Sequence, residues 1–166
     1  FAALLCEANP PVRAAADRYH SLFIDGAGRL SSCGCAPVQF PGILGHGEGV
    51  TRLNTPTRLP SPLGERAVSV SAGGEYSLAL TADGAVWSWG SGVAGKLGHS
   101  EEQDQLLPKK VEAFAGQRVV AVSAGSYHSL ALTADGALWS WGAGYSGMLD
   151  HDDEQHQSLQ KNDEAL

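Results

Sequence analysis

The sequence predicts an all-β chain, about three four-stranded sheets stacked as the blades of a partial propeller. Three observations carry that expectation. A 29-residue block returns 52 residues later with 20 positions identical and no gap. Each copy holds two short runs of strand-forming residues joined by an Asp-Gly turn. The chain combines 21 glycines with only 17% charged residues, a balance of tight turns and close packing rather than disorder.

The repeat comes first, since a fixed period of this kind defines the architecture. Residues 71–99 read SAGGEYSLALTADGAVWSWGSGVAGKLGH, and residues 123–151 read SAGSYHSLALTADGALWSWGAGYSGMLDH. An earlier copy is more diverged. Residues 19–34 (YHSLFIDGAGRLSSCG) match 75–90 at an offset of 56, residues 42–46 (GILGH) match 95–99 at 53, and 64–73 match 116–125 at 52. The first copy therefore carries a few extra residues, most naturally at 37–41, between Pro37 and Pro41.

Within the second copy, residues 76–80 and 85–89 are short apolar runs flanking Thr81-Ala82-Asp83-Gly84. Asp-Gly supplies the positive φ of a tight hairpin. Leu78 and Leu80 share one side of their strand, and Trp87 and Trp89 share one side of the next. Their opposite sides carry Ser77, Ala79, Val86 and Ser88, small or apolar, as a sheet covered on both faces requires. After a glycine-rich loop at 91–99, further strand runs at 108–111 and 119–123 complete four strands per unit of about 50 residues, the size of a propeller blade.

Around the repeats, the Ala-rich residues 1–15, interrupted by Pro10 and Pro11, are read as a helical tail or linker. Residues 16–166 divide into repeats at about 16–73, 74–125 and 126–166. With no initiator Met, the chain is expected to be a piece of a longer protein. The net charge of −7, from 18 acidic and 11 basic residues, disfavours binding to a phosphate backbone. No apolar run reaches the ~18 residues of a membrane span. Cys6, Cys33 and Cys35 form no disulfide framework, which fits an intracellular, reducing site in cytoplasm or nucleus.

The string H-S-L-A-L-T-x-D-G-x-L-W-S-W-G, followed by G-x-x-G-x-L-G-H, P-x-x-V and V-V-x-V-x-x-G, closely resembles the regulator of chromosome condensation (RCC) repeat. The resemblance covers residues 19 to about 151. It implies an arc of a ring of about seven blades. It also implies intracellular roles as a guanine-nucleotide exchange factor for small GTPases, a chromatin adaptor, a module beside ubiquitin ligases, or an ultraviolet-B photoreceptor. Ser31 and Cys33 replace the two tryptophans in the first copy. In the third, Asp150 replaces Gly98, Gln160 replaces Pro108 and Asp163 replaces Val111, so the last repeat is expected to be incomplete or degraded.

The residues that could carry chemistry give little. His46, His99 and His151 recur at one repeat position, as do His20 and His128. Equivalent positions lie blade by blade around an arc, so these rings are expected to make structural hydrogen bonds and hold no metal. Cys33-x-Cys35 lacks a second ligand pair. No strand–glycine–helix phosphate loop and no nucleophile elbow is present, so no cofactor and no catalytic residue is expected. Specificity is sought instead where matched repeats differ, in the loop entering the SLAL strand: Arg18-Tyr19, Gly74-Glu75 and Ser126-Tyr127. Arg18, Tyr19, Glu75 and Tyr127 are the expected contact residues of a scaffold that binds a protein partner. The exchange-factor alternative would need a wedge or charged loop, and only the insertion at 37–41 is available. For photoreception, Gly125-Ser126-Tyr127-His128-Ser129 lacks the Trp and Arg of the G-W-R-H-T pattern.

Overall fold

A computed structural model describes residues 13–60, 63 and 66–144, together with the backbone of 157–161. The first sheet comprises β1 (Arg13–Ala16), β2 (His20–Ile24), β3 (Leu30–Cys35) and β4 (Arg52–Arg58). The second comprises β5 (Ala67–Ala72), β6 (Tyr76–Thr81), β7 (Val86–Gly90) and β8 (Gln105–Lys110). The third comprises β9 (Val119–Ala124), β10 (His128–Thr133), β11 (Leu138–Gly142) and β12 (Gln157–Lys161). Each is antiparallel with strands in chain order, so these are three four-stranded blades of a β-propeller. Among the described residues no helix is long and apolar enough to cross a membrane.

The blades stack face to face, and the registers explain how. Leu78 lies opposite Ser88 and Leu80 opposite Val86, while Ala79 lies opposite Trp87 and Ser77 opposite Trp89. Partners across a ladder point to the same side. One face of the second blade is therefore Tyr76, Leu78, Leu80 and Val86, and the other is Ala79, Trp87 and Trp89. The leucine face packs with Ala131, Trp139 and Trp141 of the third blade. The tryptophan face packs with Leu22, Ile24 and Leu30 of the first. Leucine face meets tryptophan face at both seams. Tyr76, Leu78, Val86, Trp89 and Trp141 are fully buried there.

Three expectations need correction. The run at 119–123 belongs to the third blade, not the second, so each structural blade begins one strand earlier than the sequence repeat. The physical reason is loop length. Only residues 125–127 separate β9 from β10, a hairpin connection, whereas β8 reaches β9 through a 3₁₀ turn at Glu112–Phe114 that crosses to the next sheet. Residues 13–15, read as part of a helical tail or linker, belong instead to a strand, Arg13–Ala16, paired with β2 from Arg13↔Ile24 to Ala16↔Ser21. The open edge of β2 offers ladder hydrogen bonds that outweigh alanine's helix preference; residues 1–12 lie outside the described residues. Finally, the last blade has its fourth strand. Gly142 pairs with Gln157 as Gly90 pairs with Gln105, but Lys161 lies opposite Trp139 as Lys110 lies opposite Trp87. The offset drops from 52 to 51 along β12, so Gln160 stands where Lys109 stands and not where Pro108 does. Asp150 and Asp163 lie outside the described residues.

Candidate functional site

The three variable loops lie at one end of the stacked sheets. We call this the slot end, opposite the β2–β3, β6–β7 and β10–β11 hairpin turns. One backbone device repeats in all three. The amides of Cys35, Ser91 and Ala143 donate to the carbonyls of Tyr19, Glu75 and Tyr127, each at 2.9 Å. That approach needs Gly34, Gly90 and Gly142 just before, at φ +133, +105 and +113. A Cβ there would stand 2.3, 2.6 and 2.5 Å from those same carbonyl oxygens, inside any normal contact. The frame fixes the backbone and leaves the side chains free to differ.

Arg18 and Tyr19 form one group, in the first blade. The exposed Arg18 guanidinium sits 5.3 Å over the Tyr19 ring. Tyr19 itself is partly buried, its ring 6.2 Å from that of Phe40, and packs against Ala36, Ile43 and Leu44. Phe40 belongs to the 37–41 insertion, whose Val38 is 89% exposed.

Glu75 and Tyr127 meet at the seam between the second and third blades, through a residue that sequence reasoning missed. Lys96 is 0% exposed. Its Nζ donates to Glu75 Oε2 at 2.9 Å and lies 5.5 and 5.8 Å from the centroids of the Tyr76 and Tyr127 rings. Two aromatic faces and a carboxylate surround the ammonium, the environment that offsets the cost of burying it. Glu75 is thus occupied inside the fold. Tyr127, 50% exposed, presents its outer edge. The signal for Lys96 lay in the repeat: its position holds Ile43 in the first copy and Met148 in the third, while Glu75's holds Tyr19 and Tyr127.

Of the recurrent histidines, His20, His46 and His99 make structural side-chain hydrogen bonds, whereas His128 has its Nδ1 buried without a partner among the described residues. His46 Nε2 bonds Ser32 Oγ at 3.1 Å and His99 Nε2 bonds Ser88 Oγ at 3.0 Å. Each serine also donates to the carbonyl of Leu44 or Leu97. Burial pushes the pKa of His99 down to about 4, with the charge of Lys109 acting in the same direction. His151 lies outside the described residues. His20 crosses a seam to Ser77 Oγ at 2.7 Å, and Tyr76 makes the matching bond to Ser129 Oγ at 2.7 Å. The inner tryptophans also cross: Trp89 and Trp141 donate to the carbonyls of Ile43 and Lys96 at 3.2 and 2.9 Å. Cys33 and Cys35 are free thiols. Among the described residues no three His, Cys, Asp or Glu side chains converge to hold a metal.

The profile of the regulator of chromosome condensation (RCC1) repeat matches residues 40–80 and 83–132, and a second profile for the same repeat matches 67–96 and 119–147. The chain is 42% identical over 132 residues, 78% of its length, to the E3 ubiquitin-protein ligase HERC2 of Homo sapiens, of which it spans 3%. To the probable E3 ubiquitin-protein ligase HERC4 of the same species it is 34% identical over 146 residues, 88% of the chain and 14% of the relative. It is also 41% identical over 108 residues, 65% of the chain and 24% of the relative, to the ultraviolet-B receptor UVR8 of Arabidopsis thaliana. In fold it is similar to Prp20p from Saccharomyces cerevisiae, a protein solved together with its binding properties toward Gsp1p and histones. That match has a TM-score of 0.76 and 24% identity over 90% of this chain and 37% of that one. The chain thus covers a small part of each curated relative.

Proposed function

Because this chain belongs to the regulator of chromosome condensation repeat family, we propose that it is a non-catalytic, intracellular protein-interaction scaffold that engages a protein partner through its slot-end loops. The supporting observation is the contrast between frame and slot. The same carbonyl bond and glycine recur in three blades, while the slot pairs Arg18-Tyr19, Gly74-Glu75 and Ser126-Tyr127 vary, differing in all three copies at the first position and sharing Tyr only between the first and third at the second. A surface that varies on a constant frame is how repeat proteins acquire specificity. Arg18 and Tyr127 carry the reading furthest, since exposed Arg and Tyr are the residue types that anchor interfaces. Glu75 shapes the surface from beneath through Lys96.

Two relatives of matching sequence are ubiquitin ligases by name, which favours a partner in the ubiquitin pathway. The fold neighbour was studied for binding to Gsp1p, and exchange on a small GTPase is the alternative reading. Quantitative affinity purification of the full-length protein, parent against Arg18→Glu/Tyr127→Ala, separates these. A partner depleted about tenfold by the variant, with an unchanged melting temperature, supports the scaffold. Stimulated release of labelled GDP from a small GTPase would replace it with the exchange reading.

A further inference from the structure

The outermost strand of the first blade carries a sequence that neither the core nor the slot end accounts for. β4 reads Arg52-Leu53-Asn54-Thr55-Pro56-Thr57-Arg58 and pairs with β3 alone, so its other edge is open. Its ladder is interrupted. Leu53 lies opposite Gly34 and Thr57 opposite Ser32, so Asn54, Thr55 and Pro56 stand against the single Cys33, and the strand bows outward there. Thr55 is the middle residue of the bow and is exposed. Its Oγ1 has no hydrogen-bond partner among the described residues. Thr57, partly buried, instead donates its hydroxyl to the Thr55 carbonyl at 3.1 Å.

The second blade separates what belongs to the repeat from what is particular to β4. β8 makes the same bow, with Leu106, Leu107 and Pro108 between Gln105 opposite Gly90 and Lys109 opposite Ser88. Pro56 and Pro108 correspond, as do Arg58 and Lys110, and a proline suits an edge strand. The hydroxyl does not recur, because Leu107 stands where Thr55 does. Leu107 also shows what a preceding blade does to this position. The first blade reaches it through Gly47, where a Cβ would stand 3.8 Å from Leu107 Cδ2, and Leu107 is still 44% exposed. A blade ahead of the first would leave Thr55 open in the same way.

Thr55-Pro56-Thr57-Arg58 presents this hydroxyl in a form that a phosphoryl-transferring enzyme can read. A kinase takes its substrate extended across its cleft, and a residue before proline is confined to the extended region. Pro56 brings no N–H into the closed cleft, where an ordinary residue would need an acceptor for one. Arg58 is exposed and in neither of the ion pairs among the described residues, Arg29–Asp25 and Lys96–Glu75. Its guanidinium is available to an acidic or phosphate group beside the cleft. Ser61 is also followed by a proline, Pro62, but Gly64 stands where Thr55 has Arg58.

We propose that Thr55 is the phosphoacceptor of a proline-directed protein kinase. In the transfer, the bond between the γ-phosphorus of the kinase's ATP and its bridging oxygen breaks, and a bond from that phosphorus to Thr55 Oγ1 forms. ADP leaves, and the hydroxyl proton passes to the kinase's catalytic carboxylate. The product carries about −1.5 to −2 charges on an exposed side chain, so the fold need not rearrange to accept it. This site is independent of the slot-end reading.

The test incubates the folded full-length protein with a purified cyclin-dependent kinase and labelled ATP, and locates the phosphate by mass spectrometry. Label should approach about one phosphate per chain, on Thr55, with the melting temperature unchanged. Thr55→Val should abolish it and Thr55→Ser retain it. Pro56→Ala should lower kcat/KM about tenfold, and Arg58→Ala several-fold. Ser61→Ala and Arg18→Glu/Tyr127→Ala should leave the rate unchanged, which separates failure here from failure of the slot reading. A synthetic peptide of residues 49–61 with and without the same alanine serves should Pro56→Ala lower the melting temperature. The proposal is overturned by undiminished label in Thr55→Val, by phosphate on Thr57 or Ser61 in place of Thr55, or by equal rates for the proline and alanine substrates. Label that enters only heat-unfolded protein overturns it too, since Thr55 would then be closed to a kinase in the fold.

Discussion

Lys96 shows how one side chain depends on another. A buried ammonium costs several kcal/mol to desolvate, and removing its counter-ion exposes that cost in full. Glu75→Gln should therefore destabilise the protein by about 3 kcal/mol, read by equilibrium denaturation. The double change Glu75→Tyr/Lys96→Ile reproduces the apolar pairing of Tyr19 with Ile43, and should recover to within about 1.5 kcal/mol of the parent. Equal loss in the single and double variants would deny the pair its role. The hairpin glycines make a second comparison. Gly84 and Gly136 both sit at φ +88, yet a Cβ on Gly84 meets Arg118 Cγ at 2.7 Å and Arg118 Cα at 3.1 Å, while one on Gly136 meets nothing within 4 Å. Gly136→Ala should cost about 1–2 kcal/mol, the left-handed backbone alone. Gly84→Ala should cost measurably more, by the same denaturation assay. The slot was legible in the sequence because its residues differ among copies that otherwise agree. Lys96 differs in the same way, but a charge is informative only when paired with the change at Glu75, and the two positions lie 21 residues apart.

Between elements, several hydrogen bonds cross each seam on top of the leucine–tryptophan packing, among them His20 to Ser77 and Tyr76 to Ser129, and one of these bonds titrates. Burial is the main cause that pushes the pKa of His20 down to about 4, with the charge of Asp17 opposing it. A histidine near 6.5 when unfolded and near 4 when folded binds more protons unfolded, so its contribution is complete above pH ~6.5 and lost as pH falls toward 4. The ceiling for His20 is about 3 kcal/mol. Melting temperature should fall between pH 6.5 and 4, and His20→Gln should flatten part of that slope. His99 and His46, lowered in the same direction, would supply the rest. A slope confined below pH 4 would instead assign it to carboxylates such as Asp25 and Asp83. The hairpins of these blades were readable because Asp-Gly and alternating apolar residues specify them locally. The phase of the blade was not, since the repeat continues through β9 without a break and only three-dimensional pairing shows which sheet it joins. Nor was β1, whose three consecutive alanines carry no alternation; its strand form comes from the edge of β2.

For the whole chain, the two outer faces are not alike, and that difference predicts how it behaves alone. Leu130, Leu132 and Leu138 of the third blade occupy the positions of Leu78, Leu80 and Val86, the face that receives a tryptophan-bearing neighbour at each inner seam. Among the described residues nothing covers it: Leu132 is 39% exposed where Leu80 is 3%. The outer face of the first blade carries Phe23, Ser31 and Cys33 where the other blades have an alanine and two tryptophans. A second copy docking head to tail would thus set a leucine face against one without the large rings, filling the seam poorly. Apolar faces and open strand edges still favour association over exposure to water. The isolated 166-residue chain should therefore self-associate weakly and reversibly, with an apparent mass in sedimentation that climbs through the micromolar range. Leu132→Asp, which puts an unpaired charge in that contact, should shift the chain toward monomer. Joining a further tryptophan-bearing blade after the third should do the same and raise the melting temperature. A compact monomer that melts cooperatively at micromolar concentration, with Leu132→Asp indistinguishable from it, would mean that three blades satisfy their own faces and that the leucine face awaits no neighbour.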